Sequence, residues 1–306
     1  MIPTNRSQRR TPVGVLVLLV ALLSSFGLAQ AQSLTAIDIV REIDARGGIA
    51  GIGSQIAFLS FTIQDKNGSV QELSFVSFGK TSADPQVPDS ALIYFLAPPA
   101  LPCGAMLLTV DRKLSGQPAE FYFFHPALNR VKEFTSTSER KGSFAGSNIQ
   151  FDQISRSELA EDFTGELLGE TTLDVTVNGV AESRRVYVLH LTANPETNPD
   201  ESFPDRTIWV DAEQSLVLAS ESTNTLGKLQ DVLRISALVT FEDRLEWMQM
   251  IVTNVLDSSS TTVRVTDRAD VGELPDSLFD PALLPQFDPR QFNERLQVQV
   301  PDPVCP

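Results

Sequence analysis

The sequence predicts a mainly β fold with a minor helical part, an α+β arrangement. It is a single strongly curved antiparallel sheet, or unclosed barrel, with helical cover over its concave face. Three observations predict it. Apolar and polar residues alternate with period two from about Ser54 onward. Asn-Gly pairs at 67–68 and 178–179 sit between alternating runs, where the positive φ of a tight hairpin turn is needed. One amphipathic helix near the start precedes roughly ten or more strand candidates, and no strand–helix alternation follows it.

The elements follow in order. Residues 1–31 begin with Arg6, Arg9 and Arg10, run apolar from Val13 to about Leu28, and end in Ala29-Gln30-Ala31. A basic start, an apolar centre and an A-x-A ending predict a secretory signal cleaved after Ala31, so the mature chain is soluble and periplasmic; the other reading is an uncleaved anchor. Arg9-Arg10 leaves the general and the twin-arginine export routes both open. Ser33 or Thr35 then caps a helix with Asp38 in its first turn and Ile37, Val40 and Ile43 on one side, stopped at Gly47-Gly48.

The stretch SQIAFLSFTIQDKNGSVQELSFVSFGK forms the first hairpin, and the runs around Asn178-Gly179 form the second. Between them lie strands interrupted by proline and glycine, and ISRSELAEDF reads as a short helix or turn. Further strands follow with turns at Asp211 to Gln214 and near Asn224 to Gly227, then a last pair from Glu246. One domain thus covers 32–290, and 291–306 is a proline-rich tail with one more strand candidate at Leu296 to Val300.

The formal net charge is −15, and removing three arginines and no acid with residues 1–31 takes it to −18. Such a polyanion is repelled by nucleic acid and by anionic lipid surfaces, which excludes a nucleic-acid partner. Cys103 and Cys305 either pair in an oxidising compartment or remain two separate thiols.

Catalytic and metal-binding spacings are missing. The two histidines, His125 and His190, stand in no H-x-x-x-H, and neither C-x-x-C nor G-x-S-x-G occurs. No catalytic residue, metal or cofactor is therefore expected, and the chain reads as a non-enzyme. The aromatic content is the richer signal, because eighteen phenylalanines against three tyrosines and two tryptophans favour surfaces that want no polar handle. Ile56 and Phe58 face one way on their strand while Ala57, Leu59, Phe61 and Ile63 face the other; Phe121 and Phe123 likewise oppose Tyr122 and Phe124. Strands apolar on both faces are covered on both sides or line something apolar. The candidate lining comprises Phe58, Phe61, Phe75, Phe78 and Tyr94, then Met106, Leu108, Phe121 and Phe123. Phe144, Phe151, Trp209, Met248 and Met250 complete it. The competing reading is that the same residues form a plain core.

The segment FYFFHPALNRVKEF and the KGSFAGSNIQFDQI that follows resemble the outer-membrane lipoprotein-sorting family, the LolA-like periplasmic carriers. The match rests on Pro126, Ala127, Leu128, Arg130, Val131 and Lys132, then on Ser143, Phe144, Gly146 and Ser147. LIYFLAPPALPCGAMLL upstream and IWVDAEQSLVLASESTNTLGKL downstream resemble further parts of that pattern, so the resemblance covers roughly residues 34–288. The chain departs from it at Cys103, Glu133, Asn148 and Gln153, where charges common in the family are lost or reversed. The resemblance implies an unclosed LolA/LolB-like barrel holding acyl chains of a lipoprotein or lipid, and an RND-type envelope transporter as partner. Its alternative is an accessory or assembly protein of such a transporter that carries nothing. Gly142 and Gly146 are expected to allow a turn or bulge, with Ser143, Ser147 and Asn148 satisfying freed backbone groups.

Overall fold

The computed structural model describes residues 34–47, 53–82, 84, 86–97, 104–113, 117–155, 159–241 and 243–291. The signal segment, Gly48, both cysteines and the tail beyond residue 291 lie outside the described residues, and so does the strand expected at Leu296 to Val300.

Helix α1, Ala36–Ala45, starts as expected at Thr35. The Thr35 hydroxyl accepts from the Asp38 amide at 3.3 Å, and the Asp38 carboxylate accepts from the Thr35 amide at 3.1 Å. This reciprocal pairing satisfies two of the helix's unpaired donors. Gly47, at φ 84°, ends it. Its buried side is Ala36, Ile39, Val40 and Ile43, with Ile37 only half-buried, so the helix is rotated slightly from the expected face.

Thirteen strands make one sheet among the described residues. They are β1 (Gly53–Gln64), β2 (Val70–Thr81), β3 (Asp89–Ala97), β4 (Met106–Asp111), β5 (Glu120–His125) and β6 (Arg130–Glu133). After them come β7 (Phe163–Val177), β8 (Val180–Ala193), β9 (Asp205–Asp211), β10 (Val217–Thr223), β11 (Leu229–Phe241), β12 (Arg244–Asn254) and β13 (Ser259–Val271). From β1 to β6 and from β7 to β13 each strand pairs antiparallel with the next in the chain, and β13 pairs with β1 along Ser54–Gln64. The two expected Asn-Gly hairpins are β1–β2 and β7–β8; in the second, Asn178 and Gly179 both have positive φ, 51° and 80°. That pair is the signature of the turn whose twist matches the flanking strands.

The sheet curls without closing. At one extreme β7 bends back to touch β11 through a single parallel pairing, Val177 with Leu238. At the other, no ladder joins β6 to β7 among the described residues. The two strands are consecutive in the chain, and the described residues of the connection between them, Phe134 to Asp162, form short helices, turns and one isolated bridge, Ser143 with Gln150.

Both faces of β1–β5 are covered, as alternation predicts. On one face Phe61, Phe75, Phe95, Leu107 and Phe121 join an interior cluster with Val263 and Val265 of the adjoining strand β13 and Trp247 of β12. On the opposite face Ile56, Phe78, Leu92, Tyr94 and Leu108 pack under Leu274, Leu278, Phe279 and Leu284. This cover comes from two 3-10 turns, Asp276–Phe279 and Pro281–Gln286. Its prolines hid it from period-based reading, because a 3-10 turn has neither the period of a helix nor that of a strand.

Helix α1 does not roof the interior cluster. Its apolar side packs on the face of β7–β9 that carries Phe163, Leu189, Leu191, Ile208 and Val210. Cross-strand partners place Trp209 and Val188 on the other face of the same strands. Gly165 allows this close approach: a Cβ there would lie 2.8 Å from Leu191 Cδ2 and 3.1 Å from Ala36 Cβ. Asp44 near the helix end accepts the amides of Leu159 and Ala160 at 2.9 and 2.8 Å, capping the one-turn helix Leu159–Asp162 from another part of the chain. Burial pushes the Asp44 carboxyl above its ordinary range despite those two donors.

Candidate functional site

The interior is roofed instead by the connection between β6 and β7. It opens with a one-turn helix, Thr137–Arg140, whose Ser136 and Glu139 exchange capping hydrogen bonds. Lys132 on β6 holds the Glu139 carboxylate at 2.5 Å, and Lys132 with Ser136 brings its pKa down to about 2. The chain then folds on itself. The Phe144 amide donates to the Ile149 carbonyl at 2.7 Å and the Phe151 amide to the Gly142 carbonyl at 3.1 Å. Between them Ala145 and Gly146 adopt φ 51° and 83°, so glycine is required at the second of these positions. The Ser143 hydroxyl donates to the Ser147 carbonyl, and the Ser147 hydroxyl accepts from the Ile149 amide at 3.1 Å.

Asn148 fastens this loop to the sheet. Its backbone amide donates to Thr261 Oγ1 at 2.9 Å, and its side chain accepts from Thr261 Oγ1 at 2.9 Å and donates to Ser259 Oγ at 2.6 Å. An amide can donate and accept at once, whereas the acid usual in the resembling family offers only acceptors. The loop drives Phe144 into the interior, where the ring is 1% exposed. Its centroid lies 5.5 Å from Phe61, 5.7 Å from Phe75 and Phe95, and 5.8 Å from Phe151. Three of these contacts are edge-on, the arrangement that ring quadrupoles favour.

Beside this aromatic plug is a cavity of about 260 Å³. Leu59, Phe61, Phe75, Ile93, Met250 and Val263 form its apolar wall, with Phe144, Ile149 and Ile154 from the roof. It runs to the end of the sheet where β1 and β3 begin and β2 ends, and is lined there by Gly47, Thr81, Asp89 and Arg268. Asp89 takes Lys113 Nζ at 2.8 Å and the Ser82 amide at 2.9 Å, while burial still pushes its pKa up. Opposite it, Arg268 reaches Glu246 Oε2 at 2.8 Å, and Arg46 from the end of α1 comes within 3.7 Å of the same carboxylate. The site is thus an apolar pouch with charged groups at one end.

The structure divides the fourteen residues expected to line a hollow. Phe61, Phe75, Phe144 and Met250 are on the cavity wall. Phe121, Phe123, Phe151, Trp209 and Met248 belong to the interior cluster around it. Phe58, Phe78, Tyr94, Met106 and Leu108 lie on the opposite face, under the C-terminal turns. Strand alternation separates the last group, since Phe58 and Phe61 are three positions apart and Phe75 and Phe78 likewise. Of the motif residues, Ser143, Phe144, Gly146 and Ser147 shape the roof, Pro126 starts a 3-10 turn after β5, and Arg130 is exposed on β6. His125 and His190 stand on β5 and β8 away from the pouch, and Cys103 and Cys305 are outside the described residues. Sequence reasoning missed Arg46, Asp89, Glu246 and Arg268 at the charged end. Charges on separate elements carry no spacing signal; strand register and the packing of α1 bring them together. Among the described residues, no three His, Cys, Asp or Glu side chains are grouped to hold a metal.

No curated protein matches the sequence. A crystal structure of a DUF1329 family protein from Desulfovibrio piger superposes with a TM-score of 0.70 at 18% identity, covering 81% of this chain and 97% of that one. A domain from Vibrio parahaemolyticus, described as one of an outer membrane lipoprotein-sorting protein, gives 0.68 at 20%, covering 81% and 97%. A LolA superfamily protein from Nitrosomonas europaea gives 0.59 at 14%, covering 81% and 98%. At these identities the likeness establishes the fold alone, the curled sheet that these structures share. The model of a family described as "Uncharacterized protein" matches residues 88–286, about two thirds of the sequence. This chain is therefore a LolA-like fold and belongs to the family whose model spans those residues.

Proposed function

We propose that this protein is a non-enzymatic periplasmic carrier that shelters an acyl chain of a lipoprotein or lipid. It moves that chain between membranes, with an RND-type envelope transporter as its partner. The observation that carries the reading is the apolar pouch, in a fold shared with a domain described as one of a lipoprotein-sorting protein. Each methylene exposed to water costs about 0.8 kcal/mol, so a sixteen-carbon chain resists crossing water by on the order of 13 kcal/mol. A cavity of about 260 Å³ exceeds the roughly 150 Å³ that accommodates one benzene, which is room for part of such a chain. A longer segment enters by displacing Phe144, whose loop is tied to the sheet mainly through Asn148. Loading and release then amount to a shift between plugged and unplugged arrangements, biased by whichever partner prefers one of them.

Native mass spectrometry of the purified protein and uptake of a fluorescent fatty acid test this reading. A bound lipid and saturable uptake are expected; a lipid-free protein that takes up no probe removes it. The dense phenylalanine packing favours a second reading, in which the interior is filled by the protein's own side chains and the chain only assists a transporter. That reading expects no uptake and a stable complex with a membrane protein.

A further inference from the structure

The charged end of the pouch has a sign. Arg268 is the cross-strand partner of Ala57, so its side chain shares the face that lines the cavity. Its Nη1 is paired with Glu246, but its Nε is buried without a hydrogen-bond partner. A guanidinium N–H left without an acceptor in a protein interior costs free energy that an incoming anion would recover. Arg46 stands on the same Glu246 carboxylate at 3.7 Å, so two part-buried guanidinium groups share it. Two further charged pairs close by, Asp89 with Lys113 and Asp211 with Arg184, are self-neutralising. Among these side chains the cations outnumber the anions at this end of the apolar cavity, in a chain of formal charge −15.

We infer that the pouch accepts amphiphiles with an anionic head, a carboxylate or a phosphate, which Arg268 receives while the hydrocarbon tail lies along Leu59, Phe61 and Met250. The inference rests on the carrier reading and names its cargo class. Guanidinium suits both heads, because its N–H fork matches the geometry of carboxylate and phosphate oxygens. Glu246 holds the arginine in place and keeps it from collapsing onto the surface.

The test is displacement of a fluorescent fatty acid from the full-length mature protein by four sixteen-carbon ligands: palmitate, hexadecyl phosphate, hexadecanol and hexadecylamine. The two anionic ligands are expected to bind about tenfold or more tighter than the alcohol, the scale of one charge-assisted hydrogen bond. The amine is expected to bind most weakly, and the order of palmitate and hexadecyl phosphate identifies the preferred head. Arg268→Gln should collapse the anion-to-alcohol ratio toward one. The wild-type ligand series stands by itself if that variant does not fold. Equal affinities, or preference for the amine, would overturn the anionic head while leaving a carrier of neutral chains. Retention of the ratio in Arg268→Gln would overturn Arg268 as its seat, and failure of every ligand to displace the probe would overturn the carrier reading as well.

Discussion

Phe144 is both the centre of the interior packing and the object that fills the space a cargo would need, so Phe144→Ala separates these roles. The ring is 1% exposed and lies within 5.8 Å of four other phenylalanine rings. Truncation of a buried phenylalanine costs about 3–5 kcal/mol, and the rigid β walls leave little room for collapse onto the void. With a urea m-value of about 3 kcal/mol/M, the unfolding midpoint should fall by roughly 1 M or somewhat more. The same change enlarges the pouch. Saturating palmitate, at about a hundredfold over its dissociation constant, contributes roughly 2.7 kcal/mol of stability, and the variant should recover more of its midpoint with ligand than the wild type gains. Circular dichroism across a urea series, with and without palmitate, measures both. A midpoint lowered by less than about 0.3 M would refute the packing argument, since that corresponds to about 1 kcal/mol. A large loss with no recovery on adding ligand would refute the idea that plug and cargo occupy the same space.

Other perturbations probe the parts around it. Asn148→Ala removes the ties from the roof to Ser259 and Thr261 and should cost about 1–2 kcal/mol; stopped-flow uptake of a fluorescent fatty acid should become faster, and an unchanged rate would mean that the roof is not the gate. Gly165→Val would place a side chain 2.8 Å from Leu191 Cδ2 and force α1 outward, costing roughly 1–3 kcal/mol and raising amide exchange in Ala36–Ala45 while leaving β1–β5 protected. Burial, and then the neighbouring Asp257 carboxylate, push Asp231 from 3.8 to about 6, and its Oδ1 lacks a hydrogen-bond partner. The folded state therefore holds this proton at a pH where the unfolded chain has lost it, so Asp231 lowers stability progressively as pH rises from 3.8 to about 6, with no further change above. Asp231→Asn should melt higher than the wild type near neutral pH, the difference closing below about pH 4; a gap that persists in acid would refute the assignment.

Much of the sheet was legible in the sequence because its signals are local. The Asn178-Gly179 turn, the Thr35–Asp38 cap and the opposition of Phe58 to Phe61 each depend on residues a few positions apart. The roof was legible in part: Gly146 takes the positive φ its setting suggested, and Ser147 serves the loop backbone as its chemistry allows. What covers each face was not legible. The turns carrying Leu278 and Leu284 lack a period, and α1 has the same amphipathic pattern whether it packs inside the curl or on the face of β7–β9. The charged end of the pouch was hidden for a related reason, since Arg46 and Glu246 are two hundred positions apart and meet only through the packing of α1 against the sheet.

The pairing of β13 with β1 has a consequence for how the molecule is made. Ser54 lies opposite Val271 and Gln64 opposite Ser260, so the middle ladder of the sheet joins the first of the thirteen strands to the last. During synthesis β1 can zip to β2 early, yet its other edge stays bare until the final strand emerges. Closing so long a loop is slow, and an exposed apolar edge invites pairing with the wrong chain in the meantime. The nascent polypeptide is therefore most vulnerable to aggregation just before completion, and a holdase that shields β1 would protect it more than one that shields β6.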